Sequence, residues 1–335
     1  MPQTILVTGG TGFIGSHTCV ELIGHGYQVL ILDNLSNSHK NVLNAIKQIT
    51  GTQPDFIEGD IRDRALLDSI FKQHTIAAVI HFAGLKAVGE SVAQPLKYYD
   101  NNLTGTLTLM QAMQQANVRS LVFSSSATVY GDPQQLPIPE THPLSATNTY
   151  GHTKLVLEQA MGNLYQSEAG WRIGLLRYFN PVGAHESGLI GEAPQGIPNN
   201  LMPYIAQVAT GQREQVQVFG HDYDTPDGTG VRDYIHVSDL AKGHVAALEH
   251  LQAKDSELLT VNLGTGQGYS VLDMIAAFSR SCGHAIPYNL VPRRPGDIAA
   301  CWADTQKARE TLGWEAEKGI QEMCDDAWRW QSGRS

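Results

Sequence analysis

Short apolar runs alternate with longer amphipathic stretches over the first 180 residues. Residues 4–7, 29–32, 55–58, 78–82, 121–125 and 173–178 have the compact apolar character of buried strands. Residues 16–22, 62–72, 98–115 and 153–167 read as helices, the last with Leu155, Leu157, Ala160, Met161 and Leu164 at helical spacing. Such alternation predicts an α/β fold in which crossover helices cover both faces of a doubly wound parallel sheet. Beyond residue 180 the texture changes: 181–200 is rich in Gly and Pro and reads as a loop into a smaller α/β lobe. There, 201–211 and 238–251 are expected to be helical, and 216–219, 231–237 and 259–263 have strand character. The expected organisation is a nucleotide-binding Rossmann-type domain over 1–180, to which about 232–263 returns, and a substrate-binding domain over 181–335.

Length and charge narrow the class. A chain of 335 residues can bury a sizeable core. A net charge of −10 with no basic run argues against a nucleic-acid partner. No apolar run approaches the length of a bilayer span, and no signal peptide precedes the first strand, so a cytoplasmic protein with no membrane partner is expected. Cys19, Cys282, Cys301 and Cys324 show neither close pairs nor metal spacing, and His236, His244 and His250 read as surface or core residues rather than ligands. No metal is expected.

Candidate chemistry gathers at the carboxyl ends of the expected strands, where ligands sit in such sheets. The first strand runs into Thr8-Gly9-Gly10-Thr11-Gly12-Phe13-Ile14-Gly15, a glycine turn opening a helix. Glycines there permit a tight turn and close approach to a pyrophosphate, whose charge the helix amides favour. The second strand ends in Asp33, which can accept from both hydroxyls of an adenosine ribose and would repel a 2′-phosphate, favouring NAD over NADP. Further along stand Ser124-Ser125-Ser126 and Tyr150-Gly-His-Thr-Lys154, whose tyrosine and lysine share one helix face. Free tyrosine ionises near pH ~10, so a base at neutrality needs a shift of about 3 units, roughly 4 kcal/mol. Lys154, with the positive charge of an oxidised nicotinamide, is expected to supply it by favouring the phenolate. Each motif also has an ordinary reading, as a turn or a solvated helix face; their placement at one sheet edge favours the chemical one. Pro292-Arg293-Arg294-Pro295-Gly296-Asp297 is a basic turn. Arginines in such turns are usually solvated, yet Arg232 and Arg294 suit the forked recognition of a diphosphate.

Taken together, Thr8 to His17, Ser124 to Gly131 and Tyr150 to Lys154 resemble the extended short-chain dehydrogenase/reductase superfamily. Residues 85–91, 177–185, 197–204 and 227–237 narrow the resemblance to the UDP-glucose 4-epimerase family, over almost the whole chain. The resemblance implies that Tyr150 is the base at the sugar 4-hydroxyl, that Lys154 tunes it and holds the nicotinamide ribose, and that Ser126 hydrogen-bonds the same hydroxyl. It implies an NAD site made of Gly9, Gly12, Phe13, Ile14, Gly15, Asp33, Asn34, Asn37, Asp60, Ile61, Phe82, Ala83, Gly84, Lys86, Asn101, Ser124 and Tyr178, with Tyr150 and Lys154. A UDP-hexose would be held by Lys86, Phe179, Asn180, Asn200, Leu201, Phe219, Arg232, Tyr234, Arg294, Asp297 and Cys301, with Ser126 and Tyr150. The family habit further implies a homodimer built from helices within 98–115 and 153–167.

The implied reaction removes hydride from C4 to tightly bound NAD and returns it to the other face of a 4-keto sugar. Sugar 4,6-dehydratases carry an Asp-Glu pair after the strand-five Ser or Thr, where this chain has Ser126-Ala127-Thr128, so dehydration is disfavoured. A UDP-glucuronate epimerase or decarboxylase, and a non-catalytic nucleotide sensor, are the remaining alternatives. The resemblance also places residue 301 at the sugar pocket, where in that family a tyrosine crowds C2; the much smaller Cys301 implies room for an N-acetyl group, extending the expectation to UDP-N-acetylglucosamine and UDP-N-acetylgalactosamine. The plainer reading of Cys301 is a packing residue.

Overall fold

The computed structural model describes residues 2–194, 196–294 and 296–334; Gln195 of the expected loop and Pro295 of the basic turn lie outside the described residues. In chain order the first half contributes β1 (Thr4–Thr8), α1 (Phe13–Gly24), β2 (Gln28–Asp33), α2 (Val42–Thr50), β3 (Asp55–Glu58), α3 (Arg64–Gln73) and β4 (Ile76–His81). There follow α4 (Val88–Ala93), α5 (Pro95–Tyr98), a π-helical turn (Tyr99–Thr104), α6 (Gly105–Gln115), β5 (Ser120–Ser124), a 3-10 turn (Ala127–Tyr130), α7 (Thr149–Ser167) and β6 (Arg172–Tyr178). The second half adds β7 (Asn180–Val182), α8 (Leu201–Ala209), β8 (Val216–Phe219), β9 (Val231–Arg232), β10 (Tyr234–His236), α9 (Val237–Gln252) and β11 (Glu257–Leu263). It closes with β12 (Tyr269–Ser270), α10 (Val271–Cys282), β13 (Tyr288–Val291), β14 (Ala300–Cys301), α11 (Gln306–Leu312) and α12 (Ile320–Ser332).

Seven of these strands form one sheet in the order β11-β6-β5-β4-β1-β2-β3, and every pairing in it is parallel. The chain reverses its direction of travel across the sheet between β1 and β4, which makes their carboxyl ends the ligand crevice of a doubly wound fold. Period-two alternation distributes the side chains: Ile5 and Val7 join the core beneath α1, α2 and α9, while Leu6 joins the core beneath α3, α6 and α7. Burial on both faces is why β1, β2, β4, β5 and β6 read as continuous apolar runs, whereas the edge strand β3 is only partly covered. Each fully buried Leu or Ile contributes about 1.5–3 kcal/mol relative to exposure. A separate core, with Met202, Ile205, Val218, Phe278 and Met323, joins α8, β8, α10 and α12.

Four expected segments differ from the structure. Helix α7 starts at Thr149 and not at residue 153, because the Asn148 side chain caps it by accepting from the Gly151 amide at 2.9 Å. The single helix expected over 98–115 is interrupted by the π-helical turn, a departure that apolar spacing does not encode. The strand expected over 231–237 breaks at Asp233, whose buried carboxylate accepts from the amides of Thr265, Gly266 and Ala303 and from the Thr265 hydroxyl. Residues 180–182, at the start of the expected loop, instead pair as β7 with β10.

Candidate active site

The turn between β1 and α1 is closed by backbone contacts that only glycine tolerates. Gly9 sits at φ +72°, and a Cβ on it would stand 2.7 Å from the Ala83 amide nitrogen; a Cβ on Gly15 would meet the Gly9 oxygen at 2.3 Å. At Gly12 a Cβ would meet only the Gly9 oxygen, at 3.2 Å. Gly12 is the N-cap of α1 and makes no side-chain cap, so the first-turn amides beyond it, with Phe13 and Ile14, lack intrahelical acceptors. That combination is an anion cradle.

Asp33 closes β2, nearly buried, and is fixed by donors from its own surroundings: Oδ2 accepts from the Thr11 amide at 3.1 Å and Oδ1 from the Leu35 amide at 2.9 Å. Its carboxylate is thus held beside the glycine turn. Asn34 donates to Asp60 at 3.1 Å, and Asp60 also takes a forked contact from Arg62, which holds its pKa down near about 2. Ile61 is buried beside it, whereas Asn37 is exposed. After β4, the Phe82 and Ala83 amides both donate to the Thr8 oxygen, bringing the 82–84 segment against the glycine turn. These features fit a dinucleotide: a cradle that side chains would fill, and a positioned acceptor at the end of the second strand.

Beside this cradle lie Ser124, Ser126, Tyr150, Lys154 and Tyr178. Ser126 caps the 3-10 turn, its Oγ accepting from the Thr128 amide at 3.2 Å. Gly151 lets α7 approach that turn: a Cβ there would stand 2.9 Å from the Thr128 oxygen. The Ser124 hydroxyl donates to the Tyr178 hydroxyl at 2.9 Å. Lys154 Nζ donates to the Ser124 carbonyl oxygen at 2.7 Å and lies 5.9 Å from the centroid of the Tyr150 ring. The expected depression of the tyrosine by Lys154 together with an oxidised nicotinamide works against an opposing effect of burial. Burial raises the Tyr150 phenol above its ordinary value, against the lowering effect of its Ser126 hydrogen bond, and burial also brings Lys154 down to about 8.

Of the second lobe's expected residues, Cys301 reaches the turn that follows Ser126. Phe179 and Cys301 share an apolar cluster with Val129, Tyr130, Ile138 and Ala303, and Cys301 is paired in register with Arg232 across β14 and β9. The Cys301 thiol is pushed up to about 12 by burial and is therefore neutral. Phe219 is partly exposed under the Arg294 guanidinium, 4.6 Å from its ring centroid, and Arg294 donates to Asp297 at 2.9 Å. Tyr234 is buried, Asn180 and Asn200 are exposed, and Leu201 opens α8. Arg232 spends a donor on the Val231 carbonyl.

Several supporting residues escaped the sequence reading. Asn102, in the π-helical turn, accepts from the Leu85 amide at 2.8 Å and from the Asn101 side chain at 3.0 Å, and donates to the Leu85 carbonyl at 3.0 Å and Thr153 at 3.2 Å. It ties the loop before Lys86 to the helix of Tyr150. Glu158, one turn beyond Lys154, forms a buried ion pair with Arg177 at 2.6 Å and accepts from Ser125. Arg177 also reaches the Tyr130 hydroxyl and the Glu140 carbonyl. A Glu four residues after a Lys was the available signal for Glu158; Asn102 left none. Among the described residues, no cluster of His, Cys, Asp or Glu could hold a metal ion, and no helix is long and apolar enough to cross a membrane.

A glycine turn, a strand-end aspartate and a buried Tyr and Lys on one helix, all at one sheet edge, define the class as an extended short-chain dehydrogenase/reductase. Comparison with known proteins narrows it. A family model described as GDP-mannose 4,6 dehydratase matches residues 6–327. The UDP-glucose 4-epimerase of Bacillus subtilis (strain 168) is 61% identical over 330 residues, 98% of this chain and 97% of that protein. That of Yersinia pestis is 58% identical over 98% of this chain and 97% of its own. The crystal structure of the Bifidobacterium longum UDP-glucose 4-epimerase, in complex with NAD+ and UDP, superposes with a TM-score of 0.96 at 55% identity, covering 99% of this chain and 98% of that one. The chain belongs to the UDP-glucose 4-epimerase family.

Proposed function

We propose that this protein interconverts UDP-glucose and UDP-galactose by inverting C4 through a 4-keto sugar, with NAD kept bound between turnovers. The observation that carries the reading is the placement of the Gly9–Gly15 turn after β1, and of the buried Tyr150 and Lys154, with Lys154 anchored at the end of β5, on one parallel sheet, while Cys301, in register with Arg232, clusters with the turn that follows Ser126. NAD, when bound, supplies a reversible two-electron acceptor for C4. It would be held by Gly9, Gly12, Phe13, Ile14, Gly15, Asp33, Asn34, Asn37, Asp60, Ile61, Phe82, Ala83, Gly84, Lys86, Asn101, Ser124 and Tyr178. Tyr150 takes the 4-hydroxyl proton, directly or through Ser126, and returns it after the sugar has presented its other face. Lys154, anchored on the Ser124 carbonyl, holds its positive charge beside that exchange.

Inversion needs a firm grip on UDP and few contacts with the hexose. Arg232, Arg294, Asp297, Asn180, Asn200, Leu201, Lys86, Tyr234 and Phe219 supply the grip in this reading, with Phe179 and Cys301 at the sugar. Because the nucleotide end is common to both epimers, its binding energy is uniform and serves retention rather than discrimination. Residues 1–180 with about 232–263 form the NAD-binding domain, and the remainder of 181–335 the UDP-sugar domain. A homodimer through helices within 98–115 and 153–167, in the cytoplasm, completes the proposal. Dehydration is not favoured: the turn Ala127–Tyr130 after Ser126 carries no carboxylate.

Proton NMR of the anomeric signals, after mixing purified protein with UDP-glucose or UDP-N-acetylglucosamine and no added cofactor, tests the reading. Appearance of the galacto epimers is expected. Silence that persists after NAD is supplied would overturn it.

A further inference from the structure

Three consecutive serines meet three residues of one helix. On α7, Tyr150, Lys154 and Glu158 recur at four-residue spacing and so share a face. Opposite them, the Tyr150 phenol bonds to Ser126, Lys154 Nζ donates to the Ser124 carbonyl at 2.7 Å, and the Ser125 hydroxyl donates to Glu158 Oε1. All six residues are buried, Ser125 completely. Ser125 lies just past the parallel ladder of β5, which ends at Ser124, and its amide turns back on the Phe123 carbonyl at 3.0 Å. Its hydroxyl therefore ties to α7 a segment that the sheet no longer holds. Glu158 is in turn immobilised: Arg177, on the neighbouring strand β6, donates Nε to Oε1 at 3.0 Å and Nη2 to Oε2 at 2.6 Å. A carboxylate clamped in this way does not follow Ser125; it fixes it.

Two of the three contacts involve groups that the proposed reaction uses, and the third involves none. We propose that Ser125 and Glu158 are positioning residues for the proton exchange: the carboxylate holds the segment Ser124 to Ser126 so that the Lys154 anchor and the Ser126 hydroxyl keep their places at Tyr150. The proposal rests on the epimerase reading and adds two residues to the same site. The same carboxylate has a charge effect. Lys154 faces Tyr150 and Glu158 on its own helix, the Ser124 carbonyl and the Phe123 ring, at 4.7 Å, on β5, and the neutral His81 on β4. From β6, Arg177 reaches it through Glu158 and Tyr178 through Ser124. Glu158 is the anion in this set, and it favours the ammonium of Lys154 against the burial that lowers it.

The test compares wild type, S125A and E158Q as purified holoproteins. S125A leaves the ion pair intact and removes the third contact alone, so it decides the geometric part by itself. Its kcat should fall about tenfold to a hundredfold, the effect of a small misplacement of reacting groups. The dissociation constant for UDP, the KM and the NAD released on denaturation should stay at wild-type values, as for an interaction that matters only in the transition state. E158Q removes the charge. Lys154 then gives up its proton more readily, so the alkaline limb of the kcat profile should move to lower pH in E158Q and keep its place in S125A. Wild-type kcat in S125A would overturn the proposal, as would a loss of kcat matched by an equal loss of UDP affinity or bound NAD, which marks general damage. An alkaline limb unmoved in E158Q would overturn the charge effect. A wild-type protein that neither binds UDP nor epimerises would sink the underlying reading instead.

Discussion

Lys154 donates to the carbonyl oxygen of Ser124 at 2.7 Å, so the ammonium is tied to the end of β5 and not to the Tyr150 hydroxyl. The lysine thereby acts on the phenol through space, from a place set by the sheet, against the burial that by itself raises the phenol's pKa. Removing the hydroxyl should abolish proton exchange without disturbing the UDP grip. For Y150F, kcat is expected to fall about 10²–10⁴-fold while UDP affinity holds within about twofold, a change no larger than one exposed contact makes. Single-turnover kinetics and calorimetry separate the two. A Y150F enzyme with near-normal turnover would remove the tyrosine from the chemistry.

Gly12 and Gly15 make different demands on the same turn. A methyl on Gly15 drives into the Gly9 oxygen at 2.3 Å, whereas on Gly12 it meets one atom at 3.2 Å. G15A should therefore destabilise the fold by about 1–3 kcal/mol, the usual range for overpacking. G12A should fold with a stability change within about 0.5 kcal/mol but lose bound nucleotide. Melting curves together with nucleotide released on denaturation distinguish the outcomes. Full NAD content in G12A would show that the turn does not cradle the pyrophosphate.

Behind the site, Glu158 and Arg177 form an ion pair whose side chains are only 4% and 6% exposed. E158Q keeps the shape and strands the guanidinium, which typically costs about 3–5 kcal/mol. The expected loss is measured as a drop in the urea midpoint at pH 7. A drop small enough to match an exposed pair would mean that Tyr130 and the Glu140 carbonyl satisfy Arg177 unaided.

Legibility in the sequence follows from these same residues. The sheet was readable because burial on both faces turns β1, β2, β4 and β5 into apolar runs, and the glycine turn because its contacts exclude any side chain. Tyr150 and Lys154 were readable as a pair on one helix face. The local shift of Tyr150 was not: spacing places a charge near a phenol but says nothing of how far both are removed from water. Asn102 stayed hidden because a π-helical turn, rather than apolar periodicity, aims it at Leu85 and Thr153. Asp233 broke an expected strand because its four donors arrive from segments some 30 and 70 residues away.

Among the buried histidines, His17, His81 and His244 are held neutral by burial. Burial lowers His17 and His81 to about 3 and His244 to about 4, and His81 is wedged between the hydroxyls of Thr8 and Thr106. In the unfolded chain a histidine binds its proton near pH ~6.5. Below that value the unfolded state therefore holds more protons, and stability rises with pH. The contribution is complete above about pH 6.5 and is lost as pH falls toward 3–4, each histidine adding a slope of up to about 1.4 kcal/mol per pH unit. Urea midpoints at pH 7.5, 6 and 5 should fall in that order, and H81Q should flatten the trend. A midpoint constant from 7.5 to 5 would contradict it.

In the proposed pose, Cys301 sets how much room the sugar has. It lies 8% exposed in the cluster with Val129, Tyr130, Ile138, Phe179 and Ala303, with its backbone held in register against Arg232. In the proposed pose a side chain as small as Cys301 gives room beside Phe179 for an N-acetyl group on C2. C301Y fills the space. Its kcat/KM for UDP-N-acetylglucosamine should fall about 10–200-fold, the discrimination a pocket wall exerts on a group of this size. The non-acetylated pair should change far less, because a hydroxyl at C2 does not reach the tyrosine. Anomeric NMR rates on both substrates, with melting curves to exclude general damage from overpacking, provide the comparison. Equal losses on the two substrates would make Cys301 a packing residue of the cluster and place the limit on the acetyl group elsewhere.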